Sequence, residues 1–142
     1  MQQAIHVGTE VSAQDERSIT AVLIAYATGI DRRNWPFFHS LFTYDCEADY
    51  GGFGKWRGAT EITEYMKQAH ADMGTTLHRI SNIDIRMTKG LVHSRCYVDA
   101  LLKPLHEGGP IHRGVGYYDD EFSRTASGWQ ISRRKFHAML IE

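Results

Sequence analysis

The chain has 142 residues and a formal net charge of −1, from 16 basic and 17 acidic side chains. This length fits a single domain over residues 1–142 that buries a substantial core. The balanced charge favours neither nucleic acid nor a membrane surface as a partner. The two cysteines, Cys46 and Cys96, do not have the spacing of a zinc site.

The N-terminal segment has no basic start followed by an apolar run, so it does not look like a secretory signal. No apolar run approaches the roughly 18 residues that a membrane-spanning helix needs. We therefore expect a soluble, cytoplasmic protein, with residues 1–11 as a loose arm.

The first half of the sequence predicts helices. Ser12 and Asp15 form a helix start of the capping-box type, and apolar residues recur behind them at helical spacing over Ala13 to Arg32. Pro36 suits the first turn of a short second helix, which we expect to carry Phe37, Phe38, Leu41 and Phe42. A brief strand over 47–50 follows, and then a third helix over 59–73.

The second half predicts a sheet. Four runs of strand length are separated by short segments that contain glycine: TLHRISNIDIRM, LVHSRCYVDALL, HRGVGYYDDEFSR and WQISRRKFHAMLI. Such a succession is typical of an antiparallel meander. Helices first and strands second indicate an α+β domain. A curved sheet wrapped on a long helix would enclose a pocket suited to a ligand.

An acid ends the first helix. Asp31 stands where the apolar pattern stops, at the end of the helix whose dipole favours cations. It is either a surface carboxylate paired with Arg32 or Arg33, or a proton-transfer group at the mouth of the pocket. In the second case, a contact with His78 near the start of the long sheet would make a proton shuttle.

Two tyrosines complete the candidate group. Tyr26 on the first helix and Tyr50 after the short strand can hold a carbonyl oxygen as negative charge develops on it. Such parts suit proton abstraction next to a carbonyl, followed by loss of water or return of the proton elsewhere. Each of these residues could instead have a purely structural role.

We expect neither a metal ion nor a cofactor. The eight histidines form no HExxH or similar signature. The glycines at 51, 52 and 54 do not follow the strand, GxGxxG and helix order of a dinucleotide site.

Several stretches together resemble one family, the SnoaL-like branch of the NTF2-like superfamily, which includes scytalone dehydratase and bile acid 7α-dehydratase. The stretches are YATGIDRRNW, EADYGG, LHRISN, GYYDDEFSRT and SGWQISRR. The resemblance implies an NTF2-like cone, in which three N-terminal helices pack on a strongly curved, mainly antiparallel sheet that encloses a pocket.

The resemblance also implies a site. Tyr26, Asp31, Tyr50 and His78 would match the catalytic residues of the dehydratases, and Asp99 would be the nearest equivalent of the second catalytic histidine of scytalone dehydratase. The implied activity is a dehydratase that removes water from a hydroxylated cyclic ketone of polyketide, aromatic or steroid type. The resemblance further implies a homo-oligomer, either a trimer or a dimer.

Apolar side chains are expected to line the pocket and bind a hydrophobic cyclic substrate. They are Phe37, Phe38, Phe42, Trp56, Tyr65 and Met66. Other functions stay open: a ketosteroid-type isomerase, a non-catalytic subunit such as the small chain of ring-hydroxylating dioxygenases, or a small-molecule binding module.

Overall fold

The protein folds as helices followed by a sheet, as the sequence predicts. The computed structural model describes residues 10–142. The helices are α1 (Ala13–Asp31), α2 (Trp35–His39) and α3 (Ala59–Ala69). The strands are β1 (Phe42–Asp49), β2 (Lys55–Arg57), β3 (Met73–Thr88), β4 (Leu91–Pro104), β5 (His112–Thr125) and β6 (Gly128–Ile141). Most of the arm predicted over residues 1–11 lies outside the described residues.

The six strands form one sheet in the order β2-β1-β6-β5-β4-β3. Neighbouring strands are antiparallel except β1 and β6, which run parallel. The α+β class and the mainly antiparallel meander over β3 to β6 are therefore confirmed. Within residues 10–142, no helix is both long and apolar enough to span a membrane.

Helix α1 lies across the inner face of the sheet and contacts β3 and β6. The predicted start is confirmed, since the Asp15 backbone N–H donates to Ser12 Oγ at 3.1 Å. Its apolar face buries Ile19, Leu23, Tyr26 and Ile30 in the core. The helix ends at Asp31, beside the beginning of β3.

Three predicted boundaries are wrong: the end of α2, the end of α3, and the start of the strand predicted over 47–50, which is β1 and begins at Phe42. Helix α2 ends at His39, and Phe42 begins β1, because the Ile131 backbone N–H donates to Leu41 O at 2.8 Å and draws this segment into the sheet. Helix α3 ends at Ala69, so that β3 begins at Met73. Strand β2 has three residues and was not predicted.

Strand β4 shows how the sheet separates its two faces. Its even-numbered residues from Val92 to Ala100 are buried, whereas the odd-numbered residues are partly or fully exposed. Side chains alternate along a strand, so the even-numbered positions face the helices and the odd-numbered ones face outward. The register of β4 thereby fixes which neighbouring residues reach the interior.

Gly116 marks a close approach between β5 and β6. The register of this pair shifts between Val115 and Gly116, and a Cβ atom at Gly116 would lie 2.1 Å from His137 O. A backbone oxygen within a sheet cannot move aside cheaply. Only glycine therefore fits at position 116 without displacing the carbonyl oxygen of His137.

We expect Gly116→Ala to lower the free energy of unfolding by about 1–3 kcal/mol, the cost typical of overpacking. Gly114→Ala is the matched control on the same strand face, because its Cβ would meet only Ile141 Cδ1 at 3.7 Å. The control should change stability by less than about 1 kcal/mol. Urea unfolding measures both, and equal stabilities of the two variants would contradict the prediction.

Candidate functional site

Asp31 and His78 form a hydrogen-bonded pair where the end of α1 meets β3. His78 Nδ1 donates to Asp31 Oδ1 at 2.7 Å, and the His78 backbone N–H donates to Oδ2 at 2.8 Å. Because an ionised carboxylate only accepts, Nδ1 carries the proton of the neutral ring and Nε2 keeps a free lone pair. The predicted contact is confirmed, and the catalytic role of the pair stays a prediction.

The pair is partly shielded from water. The exposed fraction of the side chain is 17% for Asp31 and 9% for His78. Burial alone would raise the pKa of Asp31, but hydrogen bonds from His78 and Thr76 outweigh it and hold this pKa below its ordinary value. Asp31 is thus a charged acceptor at neutral pH, bonded to an imidazole instead of to Arg32 or Arg33.

His70 lies beside the pair and was not predicted as a site residue. Its ring centroid is 5.8 Å from that of His78. Nδ1 donates to the carbonyl oxygen of Met66 at 2.7 Å, which leaves Nε2 as an acceptor. The side chain is buried, and burial lowers the pKa of His70 to about 4. A second, neutral imidazole therefore adjoins the first.

Tyr26 and Tyr50 meet inside the core. Their hydroxyl oxygens hydrogen-bond at 2.6 Å, and the residues are only 1% and 6% exposed. Burial, followed by the proximity of Tyr26, raises the pKa of Tyr50 well above its ordinary value. Tyr50 is therefore a neutral phenol that can donate a hydrogen bond. The two tyrosines predicted to act together do lie in contact.

A buried ion pair supports the tyrosines from β5 and β6. Arg134 Nε and Nη2 each donate to the Asp120 carboxylate at 2.7 Å. The guanidinium carbon lies 4.1 Å from the ring centroid of Tyr26 and 3.8 Å from that of Tyr118. Burial alone would lower the pKa of Arg134, but Asp120 holds it well above its ordinary value. Among residues 10–142, Nη1 of Arg134 has no hydrogen-bond partner.

The six side chains expected to line the pocket divide into three groups. Phe38 and Phe42 are core residues, with ring centroids 5.1 and 6.1 Å from that of Tyr26. Trp56 stacks on Tyr65 at 3.8 Å, and Met66 is buried nearby on α3. Phe37 is 42% exposed. Aromatic rings therefore fill much of the space around the tyrosine pair.

Asp99 does not belong to the group that Asp31 and His78 form. His78 pairs across the sheet with Ala100, so the neighbouring Asp99 points to the opposite, outer face. There its carboxylate accepts hydrogen bonds from Arg79 and Arg113. The expectation that Asp99 acts in the site is corrected by this register.

The outer face carries a wide groove of about 1460 Å³, lined mainly by charged side chains. Neither Asp31 nor His78 lines it, and the tyrosine pair is also absent from its lining. Within the described part of the chain, no group of three or more His, Cys, Asp or Glu side chains is arranged to hold a metal ion.

Comparison with known proteins gives one family and many structural relatives. The family model of the SnoaL-like domain matches residues 11–135 of this chain. An uncharacterized protein of Mycobacterium tuberculosis is 28% identical over 126 residues, which cover 84% of this chain and 82% of that protein.

Solved structures from Novosphingobium share the fold. A protein of N. aromaticivorans provisionally named a scytalone dehydratase is 22% identical with a TM-score of 0.83, and the match covers 91% of this chain and 87% of that one. One provisionally named an aromatic ring hydroxylase, from the same species, is 25% identical with a TM-score of 0.84, over 94% and 95% of the chains. A hexachlorocyclohexane dehydrochlorinase of N. barchaimii is 18% identical with a TM-score of 0.79, over 92% and 93%.

The low pKa of His70 predicts a particular dependence of stability on pH. The unfolded chain binds a proton at this residue below about pH 6.5, whereas the folded protein does so only near pH 4. The free energy of unfolding should therefore fall as the pH drops through this window, by on the order of 3 kcal/mol. Protonation of Asp31 lowers the free energy of unfolding only at lower pH, since the pKa of Asp31 lies below its ordinary value of 3.8.

Urea unfolding from pH 7 to pH 4 tests this prediction. His70→Gln keeps a donor for the Met66 carbonyl but cannot titrate, so much of the slope between pH 6.5 and 4 should disappear. Replacing the exposed His106 by Gln is the matched control and should leave the slope in place. A His70→Gln variant with the slope of the parent protein would contradict the assignment.

Proposed function

Because the chain belongs to the SnoaL-like domain family, we propose that it is a dehydratase. It would need no cofactor and would remove water from a hydroxylated cyclic ketone of polyketide, aromatic or steroid type. The observation that carries the proposal is the hydrogen bond between Asp31 and His78, which leaves Nε2 of the imidazole free to accept a proton.

The proposed reaction uses this lone pair. His78 Nε2 removes a proton from the carbon next to the carbonyl, and the electrons of the C–H bond move into an enolate. Asp31 stabilises the imidazolium that forms, as a carboxylate beside a general base does. The enolate then collapses, the carbon–oxygen bond to the hydroxyl breaks, and the imidazolium returns the proton to it. The products are an unsaturated ketone and water.

Tyr50 and Tyr26 are proposed to hold the carbonyl oxygen. Their neutral phenols can donate to it while negative charge develops in the enolate. Since both are buried and already bonded to each other, the substrate would replace their mutual hydrogen bond. It would enter at the Asp31–His78 end, where the site keeps some exposure, with Trp56 and Tyr65 as part of the wall.

The names of two structural relatives fit this chemistry, because a dehydratase and a dehydrochlorinase both carry out eliminations. Elimination and isomerisation begin with the same proton abstraction. The alternative of a ketosteroid-type isomerase therefore uses the same residues and differs only in the product.

We expect Asp31→Asn and His78→Gln to lower turnover by about 10²–10⁴-fold, the usual contribution of a general base. The assay incubates the protein with a panel of hydroxylated cyclic ketones and follows the products by mass spectrometry. Loss of one water identifies a dehydratase, whereas a new product of unchanged mass identifies an isomerase.

Asp99→Asn is the matched control for this experiment, since Asp99 lies on the outer face of the sheet with Arg79 and Arg113. It should keep the turnover of the parent protein. Full turnover in either Asp31→Asn or His78→Gln would refute the proposed catalytic pair. Tight binding of a ketone without conversion would instead support a binding module.

We also propose that the protein is a homo-oligomer that associates through the outer face of the sheet. This face carries charges of both signs in pairs, such as Arg95–Asp119 and Arg133–Glu47, so two copies can complement each other. Light scattering coupled to gel filtration should give the mass of a dimer or trimer. Reversing Arg95 and Arg133 to glutamate should shift it toward the monomer, whereas a monomeric parent protein would refute the proposal.

A further inference from the structure

Arg33 has an unusual backbone conformation just beyond the end of α1. Its φ is +54°, in the left-handed region that residues other than glycine and asparagine rarely adopt. Its backbone N–H donates to Ile30 O at 2.9 Å. Glycine is the usual residue at such a helix end. An arginine at this place therefore carries a conformational cost that its side chain must offset.

The guanidinium of Arg33 turns back and ties the helix end to the beginning of β3. Nη1 donates to Ile30 O at 2.8 Å and to Thr76 Oγ1 at 2.8 Å. Nη2 donates to Gly74 O at 2.6 Å. Capping the helix needs only the bond to Ile30, so the other two bonds have a different role. They fix β3 relative to α1 at the level of Asp31.

The Thr76 hydroxyl links Arg33 to the carboxylate of Asp31 through hydrogen bonds. Thr76 is 1% exposed, and its Oγ1 donates to Asp31 Oδ1 at 2.9 Å. Because the arginine can only donate, Thr76 accepts from Arg33 and its single proton is left for Asp31. The donor and the acceptor of each hydrogen bond from Arg33 through Thr76 to Asp31 are thereby determined.

This series of hydrogen bonds ends at the imidazole of His78. Asp31 Oδ1 accepts from both Thr76 and His78 Nδ1, while Oδ2 accepts from the His78 backbone N–H. A carboxylate held at both oxygens has one rotamer available. This rotamer keeps the proton of His78 on Nδ1 and the lone pair on Nε2.

We propose that Arg33 is a positioning residue, which acts through Thr76 to hold the Asp31–His78 pair in the geometry needed for proton abstraction. The inference deepens the dehydratase function proposed above and rests on it for its effect on rate. The planar guanidinium suits this task better than an ammonium group, since its donors have a fixed geometry.

Arg33→Gly is the sharpest test. Glycine removes the guanidinium but accepts the positive φ without strain, so the helix end should survive. We expect imidazole ¹⁵N NMR to show His78 as a mixture of tautomers instead of the Nδ1–H form. We also expect kcat to fall about tenfold to hundredfold with KM little changed, as misplacement of a catalytic group does.

A pair of Thr76 variants isolates the hydroxyl. Thr76→Val deletes it at nearly constant shape and should reproduce the tautomer mixture, whereas Thr76→Ser should restore the Nδ1–H form. Arg32→Ala is the control for removing a cation at the helix end, since Arg32 is exposed, and it should leave the spectrum unchanged. If Arg33→Gly fails to fold, the two Thr76 variants decide the question.

The outcomes separate this inference from the proposed function. A pure Nδ1–H form of His78 in both Arg33→Gly and Thr76→Val would overturn the positioning role, even if Asp31→Asn abolishes turnover. Conversely, a tautomer mixture in these variants, together with full turnover in Asp31→Asn, would uphold the positioning and refute the proposed catalytic role of the Asp31–His78 pair.

Discussion

The carboxylate of Asp31 is the point at which the helical layer is joined to the far edge of the sheet. It accepts three hydrogen bonds, all from the first residues of β3. Strand β3 is an edge strand of the sheet, so its position is set by β4 on one side and by this helix end on the other. The same contact that orients the imidazole therefore also completes the fold. The carboxylate of Asp31 thus both links α1 to β3 and orients the imidazole for the proposed chemistry.

This arrangement explains why an acid stands at the end of a helix whose dipole disfavours it. The last turn of α1 contains no basic residue, and the free carbonyl groups there need donors. Arg33 supplies a donor to Ile30 O from outside the helix. Hydrogen bonds from β3 hold the charge of Asp31, so that the unfavourable interaction with the dipole is outweighed locally.

The sequence allowed the contact between Asp31 and His78 to be predicted, since an acid beyond an apolar helix face and a histidine near the start of a sheet are visible in it. The side of the sheet on which Asp99 lies was not predictable in the same way. It depends on the pairing of His78 with Ala100, and a shift of one residue moves every side chain to the other face. Sequence alone does not fix that register.

His70 and Arg134 illustrate a second limit. His70 reaches His78 only because α3 ends early and the chain turns directly into β3, and helix ends are the least certain part of a sequence-based prediction. Arg133 and Arg134 are adjacent in the sequence, and both form salt bridges, with Glu47 and Asp120 respectively. Only the alternation along β6 decides that Arg134 is buried between two tyrosines while Arg133 faces water.

The parallel pairing of β1 with β6 has a consequence for how the chain reaches this state. It joins Phe42 to Ile131, residues that lie far apart in the sequence, whereas β3 to β6 pair with their neighbours through short hairpins. Loop closure over such a distance has a large entropic cost. The hairpins of β3 to β6 can therefore form before β1 pairs with β6. During synthesis on the ribosome, β1 cannot take its place between β2 and β6 until β6 has emerged.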